Sequence, residues 1–214
     1  ISRRFNEDLE RVRGKVLSMG GFVEQQLAKA VMALVEGDSV LGEAVARDDY
    51  QINNMEVSID EECSRILATR APTAGDLRVI VADDHRVNAY EVSIDEACAH
   101  LIARRQPAAG DLRLVMAISK IVTDLERMGD ECEKIGNIAS RLATQERPAD
   151  KYREVKHLGR IVQDMVRDAL DAFARMDADA ALQVARKDRF GDVEYESIQR
   201  QSITFLKETP TAVR

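Results

Sequence analysis

Three pairs of acidic residues stand four positions apart in this chain: Glu56 with Asp60, Glu91 with Asp95, and Glu126 with Asp130. On a helix that spacing brings both carboxylates to one face, close enough to share a cation. Carboxylates on facing helices make a hard-oxygen site, suited to iron, manganese, magnesium or calcium rather than to a thiolate-seeking metal. The positions of the breaks decide whether the pairs can meet. Glu91 precedes the break at Gln106–Gly110 by about as many residues as Glu126 follows it, so in an antiparallel hairpin the two are level. The same arithmetic across Ala71–Gly75 sets Glu56 and Asp60 opposite Glu91 and Asp95. Glu126 and Asp130 lie outside the apolar seam of their segment, and Glu133 and Asn137 prolong the same ridge, so the site is expected on the surface. Acidic pairs at this spacing are most often solvated surface, where like charges cost a few tenths of a kcal/mol. Matched heights and repetition set these apart.

Other chemistries find less support. Glu154-x-x-His157 is a single E-x-x-H, whereas a di-iron carboxylate core needs two such motifs and two further glutamates in a buried bundle centre. His85, His100 and His157 read as surface residues. Cys63, Cys98 and Cys132 are odd in number, lack C-x-x-C spacing and fall in helical apolar patterns, which reads as small buried hydrophobes kept reduced. Met55 and Met128 read as core stripe. There is no phosphate-cradling glycine loop, no H-E-x-x-H and no G-x-S-x-G elbow, so no catalytic constellation is present and the chain reads as a non-enzyme.

The elements that would position the carboxylates are long helices. Apolar residues recur mostly in steps of three and four, with some of seven: Phe5, Leu9, Val12, Val16, Met19, Val23, Leu27 and Leu34 in the first segment; Leu41, Val45, Ile52, Met55, Ile59 and Ile66 in the second. Gly20-Gly21 interrupts the first and predicts close packing or a kink. Gly37-Asp38-Ser39 predicts a stop and a cap. A third segment, 76–105, carries Ile80, Val87, Tyr90, Ile94 and Leu101. The fourth carries an unbroken seam of Leu114, Ile118, Ile121, Leu125, Met128, Cys132, Ile135, Ala139 and Leu142. A fifth is expected over 151–175 and a sixth over 178–208. Pro72, Pro107, Pro148 and Pro210 close segments. Short links between long helices force antiparallel neighbours. The expected fold is all-α, an antiparallel bundle of six long helices. Residues 1–105 would form a first three-helix unit and 106–214 a second, sharing one core.

Residues 48–82 repeat as 83–117, with E-V-S-I-D-E starting at Glu56 and again at Glu91, and P-x-A-G-D-L-R at Pro72 and Pro107. The third segment therefore begins like the fourth and continues like the second. Composition agrees with a helical bundle: hydrophobic residues are 45%, aromatics 4% and Trp is absent, so aliphatic side chains must fill the core. A net charge of −7 argues against nucleic-acid binding. No apolar run approaches a membrane span and no hydrophobic leader follows Ile1, so the chain is expected to stay in the cytoplasm without membrane insertion.

Gln106-Pro107-x-x-x-Asp111-Leu112-Arg113-Leu114, followed by Leu125-Glu126-Arg127-Met128-Gly129-Asp130, resembles the central signature of the PhoU family. Phe5-Asn6-x-x-Leu9-Glu10, Met19-Gly20-Gly21-x-Val23-Glu24 and Leu170-Asp171-Ala172-Phe173-Ala174-Arg175-Met176-Asp177 agree with it, so the resemblance covers most of the chain. It implies a pair of three-helix bundles. It also implies a cytoplasmic regulator of phosphate uptake that links a phosphate ABC transporter ATPase to a sensor histidine kinase and represses the starvation response. Some members bind metal clusters through E(D)-x-x-x-D motifs. Carried over, this assigns Glu91, Asp95, Glu126 and Asp130 to one site and makes Asp192-x-x-x-Glu196 half of a second. Two departures stand out: the helix bearing E-x-x-x-D occurs twice, and a final helix with a second L-E-R-I-G-D signature does not follow. The extra helix is expected to supply packing, and the exposed seams to favour a homodimer.

Overall fold

A computed structural model describes residues 3–70, 109–145 and 152–208, and every element in them is a helix. These are α1 (Arg3–Glu36), α2 (Ser39–Arg70), α3 (Ala109–Leu142), α4 (Arg153–Arg175) and α5 (Ala178–Glu208). They coincide with five of the six expected helices to within a few residues. The sixth, over 76–105, lies outside the described residues, with Glu91, Asp95, Cys98, His85 and His100.

The α1–α2 turn is built as its residues demand. Gly37 adopts φ 73°, the left-handed conformation that costs glycine least. The Gly37 and Asp38 amides both donate to the Ala33 carbonyl, and Asp38 Oδ1 then accepts the Leu41 amide at 2.9 Å to cap α2. The α4–α5 turn repeats the device. Met176 is left-handed at φ 53°, and Asp177 Oδ1 accepts the Ala180 amide at 2.9 Å.

The described residues group into two compact units, one of 3–16, 54–70 and 109–124, the other of 17–53, 125–145 and 152–208. α1, α2 and α3 each contribute to both; the expected boundary at 105/106 lies outside the described residues. Helices of 32 to 34 residues are about 50 Å long, more than one small unit needs. In the first unit Leu9, Val12, Val16, Ile59, Cys63, Ile66, Val115, Ile118 and Val122 are buried. Beside them Asp8 accepts from Arg11 and Arg65, Glu62 accepts from the same two guanidinium groups, and Lys15 Nζ donates to Ser58 Oγ at 3.0 Å.

In the second unit Ala30, Val45 and Cys132 form a core contact flanked by Leu27 and Ile135. Here α2 and α3 touch backbone to backbone: a Cβ at Gly42 would lie 2.6 Å from the Gly136 carbonyl oxygen, and one at Gly136 equally close to that of Gly42. This approach rotates α3 from its expected orientation. The buried stripe runs through Val115, Ile118, Val122, Leu125, Gly129, Cys132, Gly136 and Ala139. Met128, expected in the seam, is 42% exposed. Large side chains cannot occupy the line along which two backbones meet; the glycines hold it and the bulkier neighbours flank it.

The α1–α4 contact is reciprocal. Gly20 admits Leu170, and Gly159 admits Val31, whose Cγ1 would stand 2.8 Å from a Cβ there. Gly159 follows Gly20 by the interval that separates Leu170 from Val31, Met176 from Gly37 and Asp177 from Asp38. Two helical hairpins of one design thus pack through their first helices, and Gly20 serves the close packing its position predicts.

Candidate metal centre

Rotation of α3 brings its acidic ridge to the edge of the α2–α3 contact. Antiparallel pairing of Gly42 with Gly136 sets Asp49 of α2 level with Gly129 and Asp130. Carboxylate oxygens of Asp49, Asp130 and Glu133 all lie within 4.8 Å of one another. Glu126 stands one turn before Asp130 on the same ridge.

The electrostatics match the crowding. Asp49 is only 9% exposed, and its carboxyl is held above the usual aspartate range by burial first, then by Asp130 and Glu133. One relief is Asn53, whose Nδ2 donates to Asp49 Oδ2 at 3.3 Å. Glu126 is raised by burial, then by Asp130 and Asp49. Asp49 Oδ1 is buried with no hydrogen-bond partner. A buried carboxylate oxygen without a donor, among carboxylates from two helices, is the environment a hard cation would neutralise. An all-oxygen donor set fits iron, manganese or magnesium.

The expected pairs fare unequally. Glu126 and Asp130 sit in this cluster, half-buried rather than on the open surface. Glu133, read as an extension of the ridge, is one of the three converging groups. Glu56 and Asp60 belong to the first unit, where burial raises the Asp60 carboxyl and no third ligand-bearing side chain joins them among the described residues. Glu91 and Asp95 lie outside the described residues. Asp49 was not anticipated. Its signal is a carboxylate inside the apolar stripe of α2, in the step of seven from Val45 to Ile52 that a regular seam would divide.

His157 is exposed, as read. Cys63 and Cys132 are buried free thiols, pushed up to about 12 by burial, so both hold their protons at neutral pH. No described helix is long and apolar enough to cross a membrane.

The PhoU domain model matches residues 16–82, 76–139 and 155–214, most of the chain. This chain belongs to the PhoU family. The phosphate-specific transport system accessory protein PhoU homolog of Pseudomonas putida is 45% identical over 213 residues, all of this chain and 70% of that protein. The PhoU accessory protein of Escherichia coli K12 is 40% identical over 97% of this chain and 71% of its own length. The crystal structure of PhoU from Pseudomonas aeruginosa superposes with TM-score 0.77 at 44% identity, covering 98% of this chain and 83% of that one. PhoU from Streptococcus pneumoniae shares the fold at TM-score 0.72 and 24% identity. The all-helical PhoU fold is therefore that of this chain, and the acidic cluster overlies its L-E-R-x-G-D signature.

Proposed function

We propose that this chain is a non-catalytic regulator of phosphate uptake and phosphate-starvation signalling in the cytoplasm, acting through protein contacts and a bound cation. Membership of a family whose relatives are phosphate-specific transport accessory proteins carries the regulatory part. The partners are a phosphate ABC transporter ATPase and a sensor histidine kinase, and the chain works as a homodimer. Exposed apolar side chains on α4 and α5 (Val162, Leu182, Phe190 and Val193) support association through that region.

The convergence of Asp49, Asp130 and Glu133, with Glu126 adjacent, carries the cation-binding part. A bound iron, manganese or magnesium ion would supply the positive charge that offsets carboxylate repulsion and would tie α2 to α3. Glu91 and Asp95 are proposed as further ligands, and Glu56 and Asp60 as outlying acidic groups of the same kind.

Metal content of untagged protein, compared with a Glu126→Ala/Asp130→Ala variant of unchanged helicity, tests the cation. Bound metal lost in the variant supports it. Metal absent from both leaves a helical scaffold acting through its surfaces alone. Capture of the purified ATPase and kinase by the immobilised protein tests the partners, and failure to retain either removes the adaptor role.

A further inference from the structure

The acidic groups on α3 surround a residue with no side chain. Gly129 lies three positions after Glu126 and four before Glu133, so on the helix surface it is bordered by both, with Asp130 next in sequence. The side chain of Asp49 reaches α3 at that point. A Cβ at 129 would stand 3.1 Å from Asp49 Oδ1, 2.6 Å from Ile52 Cδ1 and 3.2 Å from Ile52 Cγ2. A contact of 3.1 Å is tighter than a Cβ ordinarily makes, so with alanine the Asp49 carboxylate would have to give by a few tenths of an ångström. The same Oδ1 is the one left buried without a donor.

Resting on the cation-binding reading, we infer that Gly129 is a positioning residue of the site: its empty place on α3 is the notch through which the α2 carboxylate enters the ring of α3 carboxylates. Gly42 and Gly136 set how closely the helices approach; Gly129 sets how many ligands they share. With the notch filled, Glu126, Asp130 and Glu133 remain together on one helix, but the ligand from the second helix is pushed off the position from which it shares their cation. The cation then no longer joins α2 to α3.

The experiment separates ligand geometry from packing. Ile52→Val removes the Cδ1 atom that a new Cβ would meet first, leaving the approach to Asp49 Oδ1 unchanged. Thermal midpoints in chelator and Mn2+ affinities by calorimetry are measured for the wild type, Gly129→Ala, Gly129→Ala/Ile52→Val, Asp49→Asn and Gly129→Ala/Asp49→Asn. Gly129→Ala is expected to weaken Mn2+ binding at least about tenfold, in the range typical of lost site support. Adding Ile52→Val is expected to restore the midpoint and not the affinity. Asp49→Asn and Gly129→Ala combined are expected to weaken binding no further than either alone, because both remove the same ligand. Affinity that recovers together with the midpoint, or losses that multiply in the Asp49 double variant, would overturn the inference. A wild type that takes up no Mn2+ is a different failure: it removes the cation-binding reading, and this inference with it.

Discussion

At the scale of single residues, the chain places a carboxylate where a hydrophobe would stabilise it more. Asp49 occupies the inner stripe of α2 with Val45 and Ile52, and burial, Asp130 and Glu133 all oppose its charge. A buried group lacking its partners costs about 1–3 kcal/mol. Asp49→Asn is therefore expected to stabilise the chelated protein at neutral pH by about 1 kcal/mol, measured by urea denaturation, while weakening metal binding. A destabilised variant would show that the carboxylate is satisfied without a cation. Glu62 has the opposite environment. Hydrogen bonds from Arg65 and Arg11 hold its carboxyl at about 2 against an ordinary value of 4.5. A carboxyl depressed in the folded state contributes stability that is complete above the unfolded value and lost as pH falls toward the folded one. The stability gap between wild type and Glu62→Gln is thus expected to be full above about pH 5 and to close toward about pH 2. A gap that persists undiminished at the acid end would count against the Arg–Glu network as its source.

At the scale of elements, what was legible followed from local rules, and what was not depended on how helices approach one another. The helix ends, the Gly37-Asp38 cap and the close packing at Gly20 all follow from residue type. The rotation of α3 does not. Apolar periodicity favours a seam through Met128 and Ile135, since glycine carries no hydrophobic signal, yet the Gly42–Gly136 contact turns the helix to bury Gly129 and Gly136. The acidic ridge turned with it: Glu126, Asp130 and Glu133 became half-buried, level with Asp49 of α2, while Glu91 and Asp95, the pair expected opposite Glu126 and Asp130, lie outside the described residues. A Cβ at Gly42 or Gly136 meets a backbone oxygen that cannot swing aside. Gly136→Ala is accordingly expected to cost about 1–3 kcal/mol, although alanine favours a helix by about 1 kcal/mol elsewhere. A thermal midpoint at or above the wild-type value would refute the close approach. The α4–α5 turn predicts the reverse sign. Met176 holds φ 53° and ψ 38° with a β-carbon that crowds the left-handed conformation, where its counterpart is Gly37. Met176→Gly is expected to stabilise by about 0.5–1 kcal/mol, read as a raised midpoint.

At the scale of the whole molecule, stability is distributed unevenly within the second unit. There α1, α2 and α3 contribute Met19, Val23, Ala30, Ala33, Val45, Ile52, Leu125, Cys132 and Ala139 to the interior, all nearly inaccessible. Among residues 178–201, 203 and 204 of α5 none is buried, and Leu182, Phe190, Val193 and Ile203 are more than half exposed. It is tied to α4 by, among other contacts, the Lys187–Asp168 ion pair, itself on the surface. Exposed ion pairs contribute about 0–1 kcal/mol, and a helix with so little buried apolar area opens at a fraction of the global free energy. Hydrogen exchange is the measurement that reads this directly. In dilute protein the amides of α5 are expected to exchange orders of magnitude faster than those of α1 and α3 within the same unit. If the homodimer forms through the α4–α5 surface, raising the protein concentration slows exchange across residues 182–203 and leaves the α1 and α3 rates unchanged, since mass action stabilises only what the second copy covers. Exchange in α5 that is slow and independent of concentration would mean that the helix is held by contacts within the chain, and would remove this surface as the site of association.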